Sequence, residues 1–397
     1  MYVIDKRTQD PTVVRFQSAR GRMAWISRNA RRLRLTLSIR RYAKTSPAEK
    51  TFFADDRTPF HEDACRQMPE ADLINLHWVA GFLDLGAFFR LLPRSTPVVW
   101  TLHDMASFTG GCCHAMGCGK FTQKCGACPQ LGSTDEADLT RDVWRRKWEY
   151  YSSLDANRFH IVTPSRWLGE EVKRSALLSR FPHSVIPYGL DLEVFKERDR
   201  CFSREVLGIP PEAKVLLFVS NGLHVHLKGL HLLVEALEGM DSARDLFLLC
   251  VGPGPPPVLQ RFPHAHIPIV TEDGLLSLIY SAADVFVLPS LADNLPNTML
   301  ESLACGTPVV AFAAGGIPEG VRPGITGLLA RAGDPAELRS AILRLLGDDS
   351  KRGEMSANCR RIALDEYETS IETKRYVELY EEMLLYKGER QGTSVSA

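Results

Sequence analysis

The sequence has no apolar run of the roughly 18–20 residues that a membrane-spanning helix needs. Arginine, aspartate, proline or histidine interrupts every candidate, so no helix is expected to cross a bilayer. Net charge is missing too: 48 lysines and arginines balance 48 aspartates and glutamates, which removes any global field favouring nucleic acid or membrane. The opening residues, Met1 to Asp10, lack the charged start and apolar stretch of a secretory signal, so the expected location is the cytoplasm. Nor is the chain poor in hydrophobic residues. At 45% hydrophobic and 24% charged, it cannot be a disordered, collagen-like or disulfide-scaffold protein. Its ten cysteines, in a reducing compartment, are thiols or metal ligands before they are disulfides.

What is present is length and a repeating pattern. The 397 residues exceed one ordinary core and suit two domains of roughly 100–200 residues each. From Asp72 onward, short apolar runs alternate with helix-like stretches. Leu73–Leu76, Pro97–Leu102 and His160–Thr163 form a first series. Val215–Val219, Leu246–Val251, His266–Val270, Val285–Leu288 and Pro308–Phe312 form a second. Strands that are apolar throughout and separated by helices predict parallel sheets covered on both faces. The expectation is an α/β chain of two doubly wound, Rossmann-like domains, 1–193 and 194–368. A C-terminal helix over 369–397 is expected to pack back on the first domain and end in a flexible tail.

One stretch departs from the charge balance. Arg15 to Lys44 carries ten basic residues and no acid, with Trp25, Ile26, Leu33, Leu35, Leu37 and Ile39 interleaved. Such a segment suits an anionic membrane surface, giving a peripheral location at the inner face, or else a solvated basic helix. Nucleic acid is not the expected partner, since the aromatic residues needed to stack bases are scarce there.

The most specific motif is Ser290-Leu-Ala-Asp293-Asn-Leu-Pro-Asn297-Thr-Met-Leu-Glu301, followed by Ser-Leu-Ala-Cys-Gly306-Thr-Pro308. It reads as strand, loop and helix, a unit that offers backbone N–H groups and a positive helix end to a phosphate. An acid inside the helix near its start can bond sugar hydroxyls. Asp293-x7-Glu301 and the residues after it resemble the Glu-x7-Glu signature of the retaining glycosyltransferases of family 4, also called group 1. Further similarities are Thr163-Pro-Ser-Arg-Trp167, Ile186-Pro-Tyr-Gly-Leu-Asp191, Lys228-Gly229 and Gly315-Gly316-Ile-Pro-Glu319, in the family's order from about Asp72 to Gly327.

The resemblance implies a GT-B fold, two Rossmann-like domains facing a cleft, and a metal-independent, retaining hexosyltransferase. A nucleotide-diphosphate sugar would be the donor, and a glycan or lipid-linked hydroxyl the acceptor, in bacterial surface polysaccharide synthesis. Glu301 would hold the ribose, Asp293 the donor sugar and Lys228 the leaving diphosphate. Asn294, Leu295 and Asn297 would complete the donor contacts. His103, at the carboxyl end of a strand, would lie beside donor sugar and acceptor; His77, in Leu76-His77-Trp78, is a weaker candidate. Two departures stand out. The arginine that many members carry six positions before the lysine is Gly222 here, with His224 or His226 as possible substitutes. The family's opening strand, glycine-rich loop and helix have no counterpart, so the chain is expected to lack its natural start. The rival readings are a catalytically impaired nucleotide-sugar-binding homologue and a zinc-dependent nucleic-acid-binding protein.

A cysteine-rich loop spans residues 111–130. Cys113, Cys118, Cys125 and Cys128, with glycines between them, suit a closed tetrahedral structural zinc site, and Cys112 or His114 is an alternative ligand. With four protein ligands such a zinc would not be catalytic.

Overall fold

Apolar tetrapeptides such as Val98-Val-Trp-Thr and Val285-Phe-Val-Leu cannot leave either face in water, and each is buried along its whole length as a strand. The computed structural model describes residues 1–6, 8–19, 21–45, 52–240, 245–254 and 262–393. The chain divides into two units. Unit 1 takes in Met1–Thr163, Leu168–Val185 and the residues from Val377 onward; unit 2 takes in Pro164–Trp167 and Ile186–Tyr376.

Unit 1 contains a small parallel pair, β1 (Tyr2–Val3) with β2 (Val14–Arg15), and a four-stranded parallel sheet. The sheet is β3 (Ile74–Leu76), β4 (Val98–Thr101), β5 (Phe159–Thr163) and β6 (His183–Val185), in that order. Ile74 pairs with Val98, Val98 with Phe159 and Ile161 with His183. A cavity lined by residues 1–5 and 73–83 separates β1 from the edge of β3. The C-terminal helix Thr369–Thr393 crosses from unit 2 into unit 1, where the Asn75 amide donates to the Tyr380 hydroxyl at 2.6 Å. The helix continues through Thr393, so Gly392 and Thr393 of the expected tail are helical; residues 394–397 lie outside the described residues.

The basic segment forms the helix Arg22–Arg40, which buries no residue. Met23, Ile26, Leu33 and Leu37 lie on one stripe at helical spacing and are exposed, Met23 by 79% and Leu33 by 58%. Arg20 of that segment lies outside the described residues. Among the described residues no helix is long and apolar enough to cross a membrane.

Unit 2 is a six-stranded parallel sheet: β7 (Lys214–Val219), β8 (Leu246–Val251), β9 (His264–Ile267), β10 (Val285–Leu288), β11 (Val309–Phe312) and β12 (Gly327–Ala330). Its spatial order is β12-β11-β10-β7-β8-β9. Alternate residues feed two cores. Val215 and Leu217 pack on one face with Tyr280, Met299 and Leu303; Leu216 and Phe218 pack on the other with Leu233, Leu338 and Ile342. The run read as a strand at His266–Val270 is displaced to His264–Ile267, because Pro268 has no N–H to give to the ladder. The strand order switches sides between β7 and β10, and the carboxyl ends of these strands are where such sheets bind ligands.

Candidate functional site

The loops that follow β7 and β10 meet there. After β7, Val225–Lys228 closes a tight turn ending in Gly229, which takes φ +71°. A Cβ on Gly229 would stand 1.8 Å from the Pro289 carbonyl oxygen, so only glycine allows the turn to rest on the end of β10. The Leu291 N–H seals the contact by donating to Leu227 O at 2.9 Å. This places the Lys228 ammonium 2.7 Å from Asp293 Oδ2. The Asp293–Asn294 backbone is seated in turn on Gly315 and Gly316, whose Cβ atoms would fall 1.8 and 2.0 Å from the carbonyl oxygens of Asp293 and Asn294. Asn294 is buried and its side-chain oxygen accepts from the Ser165 hydroxyl. Leu295 points into the core, and Asn297 opens the helix Asn297–Ala304 after Pro296.

Glu301 lies in the second turn of that helix and accepts from the Tyr280 hydroxyl at 2.8 Å. Burial pushes its carboxyl up to about 7, and Asp273 adds to the rise while the Tyr280 bond opposes it. A carboxyl held partly neutral and beside a phenol is poised to gain from further donors. Two sugar hydroxyls would favour its charged form.

Unit 1 presents a second cluster where β4 ends. His77 Nδ1 and His103 Nε2 stand 3.1 Å apart, one donating to the other. Burial, and then the neighbouring His77 ring, pushes His103 down to about 4; burial also lowers His77. Both rings are therefore neutral near pH 7. They line a pocket with Trp78, Thr101 and Asp104. Burial raises Asp104 to about 6, against the pull of the Ala106 N–H at 2.7 Å. The buried Lys147 ammonium donates to Ala106 O and Thr109 O at 2.6 and 3.1 Å, pinning the loop that follows.

Residues 213–348 match the family model described as glycosyl transferases group 1. The D-inositol 3-phosphate glycosyltransferase of Kribbella flavida is 33% identical over 330 residues, 78% of this chain and 70% of that protein. The chain belongs to the group 1 glycosyltransferases. Among solved structures of the fold, sucrose-phosphate synthase from Thermosynechococcus elongatus aligns with a TM-score of 0.61 at 22% identity, over 79% of this chain and 74% of that one. The Anabaena protein HepE in complex with UDP-glucose aligns at 0.55 and 19%, over 78% and 79%. This group 1 chain thus has the α/β, GT-B type of architecture. In three further D-inositol 3-phosphate glycosyltransferases the matched segment is 43%, 44% and 50% of their length, so this chain spans about half of those relatives.

In this group 1 chain the structure brings Lys228, Asp293 and Asn294 together and sets Leu295, Asn297 and Glu301 on the same loop and helix. The ion pair links residues 65 apart, so Lys228 has an acid as its partner and not His224 or His226, the substitutes expected for the arginine that Gly222 replaces. His226 lies against His231, the rings tilted by 31° with centroids 4.0 Å apart. Sequence reasoning missed Tyr280, and it met Ser165 only as part of Thr163–Trp167, without its partner Asn294; both contacts depend on packing between separate elements. The expected zinc ligands Cys113, Cys118, Cys125 and Cys128 are not brought together as a set. Gly111–Cys113 runs extended against Phe52–Ala54, with Cys112 bridged to Phe53, so successive side chains point to opposite sides. Cys113 packs with Ala54 and Ala106, against Asp104, away from Cys118, Cys125 and Cys128. Among the described residues, no three His, Cys, Asp or Glu are grouped tightly enough to hold a metal ion as they stand.

Proposed function

We propose that the protein transfers a glycosyl group from a nucleotide-diphosphate sugar to an acceptor hydroxyl with retained configuration. The observation that carries this reading is the Lys228–Asp293 pair at the carboxyl ends of β7 and β10, with Glu301 in the second turn of the helix that follows. The pair is partly solvated, its side chains 32% and 17% exposed. Such pairs contribute about 1 kcal/mol or less, so a diphosphate can take the ammonium at small cost. Glu301 then accepts from the ribose hydroxyls. As the sugar C1–O bond breaks, its electrons pass to the diphosphate oxygen beside Lys228. The acceptor oxygen bonds C1 on the face the diphosphate leaves, and its proton passes to that departing oxygen. Positioning and charge stabilisation supply the catalysis. In unit 1, the neutral His103 ring, hydrogen-bonded to His77, is suited to bond a hydroxyl within that unit's own pocket. The UDP-glucose bound by HepE supports a nucleotide-sugar donor.

Thermal unfolding against UDP-, GDP- and ADP-sugars tests the reading, since a ligand that binds only the folded state raises its stability. One nucleotide class is expected to raise Tm, and Lys228→Ala to abolish the rise; no rise with any of them would overturn the proposal. The rise should grow between pH 6 and 8. Glu301 has its folded value raised to about 7, so its ionisation lowers the stability of the free protein as pH increases through that value. Donor hydroxyls favour the ionised form and recover that loss.

The names of the sequence relatives favour a polyol phosphate acceptor. The helix Arg22–Arg40 favours a lipid-linked or glycan acceptor at an anionic membrane, because its exposed Met23, Ile26, Leu33 and Leu37 are flanked by Arg22, Arg34 and Arg40. Co-sedimentation with phosphatidylglycerol vesicles, weakened by Leu33→Glu and by salt, is the expected result; equal recovery with neutral vesicles would remove the membrane reading.

A further inference from the structure

Five of the ten cysteines lie between β4 and the helix Leu139–Ser152. The loop that carries them bends through left-handed backbone twice: at Met116 (φ 49°) and Gly117 (φ 80°), just before Cys118, and at Gly126 (φ 142°) and Ala127 (φ 42°), between Cys125 and Cys128. A non-glycine residue held in such a conformation costs of order 1–3 kcal/mol and persists only where its surroundings fix it. Here the Lys120 ammonium closes the second bend by donating to Gly126 O and Ala127 O at 2.8 and 2.9 Å. The bends turn Cys118, Cys125 and Cys128 toward one small cavity, and the alternation of the extended Gly111–Cys113 segment sends Cys112 to the same place. Phe121, Ala115 and Pro129 supply the apolar part of its wall.

The backbone also addresses the sulfurs. Gly110 N–H donates to Cys125 Sγ at 3.1 Å, and the close approach requires glycine: a Cβ there would stand 2.5 Å from Thr140 O and 2.8 Å from Cys125 Cβ. The N–H groups of Gln130 and Leu131 are turned to the Cys128 thiol. These donors offset part of the burial that raises both thiols. Four sulfurs converging on a cavity from two bends and an extended segment, with backbone donors behind them, form a ligand set for a soft divalent ion.

We propose that Cys112, Cys118, Cys125 and Cys128 bind one zinc ion, and that Cys113 is outside the set. The sulfurs do not stand at ligand spacing in this geometry. Binding therefore draws them inward, and the four thiols release four protons to solvent as four metal–sulfur bonds form. Four thiolates fill a tetrahedral zinc shell, which leaves no position for substrate. The ion's part is to hold the loop whose Ala106 and Thr109 carbonyls anchor Lys147, next to the His77–His103 pocket.

The full chain, purified without chelator, is expected to carry zinc at one equivalent by elemental analysis. Cys113→Ser should retain the zinc and Cys112→Ser should lose it. Should Cys112→Ser fail to fold, cobalt added to the chelator-stripped wild type gives the second readout: a tetrahedral thiolate spectrum saturating at one equivalent supports the site. Zinc lost from Cys113→Ser but kept by Cys112→Ser, wild type that takes up neither metal, or disulfides among these four cysteines in the freshly purified protein would each overturn the proposal.

Discussion

Replacing Lys228 by alanine is expected to lower kcat by about 10²–10³-fold, the loss seen when one preorganised donor to a developing negative charge is removed. The ammonium stands on a glycine-fixed turn at the point where the strand order switches, 2.7 Å from Asp293. In the proposed reaction, charge accumulates on the departing diphosphate oxygen nearest Lys228, and alanine would leave it to water. Stability should change little, because the ion pair is partly solvated. Unfolding curves within about 1 kcal/mol of wild type, with turnover lost, separate this role from a structural one. Lys228→Ala with unchanged turnover would remove the residue from the mechanism.

Gly229→Ala should be among the most damaging single-methyl changes at the site. Alanine at φ +71° carries a left-handed cost of roughly 1–2 kcal/mol. Its Cβ would also meet the Pro289 carbonyl at 1.8 Å, and making room in packed surroundings costs about 1–3 kcal/mol more. The sum, about 2–5 kcal/mol, should appear as a lower denaturation midpoint at unchanged slope. Gly324→Ala supplies the control: Gly324 has φ +78° but nothing within 4 Å of its Cβ, so only the conformational cost applies. Equal losses at the two positions would show that the contact with Pro289 does not matter. Because the turn carries Lys228, Gly229→Ala should also weaken donor binding at temperatures where the protein remains folded.

The parts legible in the sequence were those written in local pattern. Continuous apolar runs such as Val285–Leu288 and Val309–Phe312 mark strands buried on both faces, and the spacing of Asp293 and Glu301 places both acids on one loop-helix unit. Contacts across the chain were not legible. Tyr280 reaches Glu301 from a neighbouring helix and leaves no local signature, while the Thr163–Trp167 motif contains Ser165 but does not say that it meets Asn294, 129 residues away. The cysteine loop shows the limit most clearly. Spacing alone treats Cys112 and Cys113 as near equivalents. Their strand-like pairing with Phe52–Ala54 sends them to opposite sides and changes the ligand set.

The central claim is that this chain moves a sugar from a nucleotide diphosphate with its configuration kept. Its most direct test is proton NMR of the anomeric centre during turnover of an α-configured nucleotide sugar by the full chain, with an acceptor supplied. An α-linked product, formed by wild type and lost in Lys228→Ala, is the expected result. A β-linked product, or a nucleotide sugar that binds and is never consumed, would contradict the account.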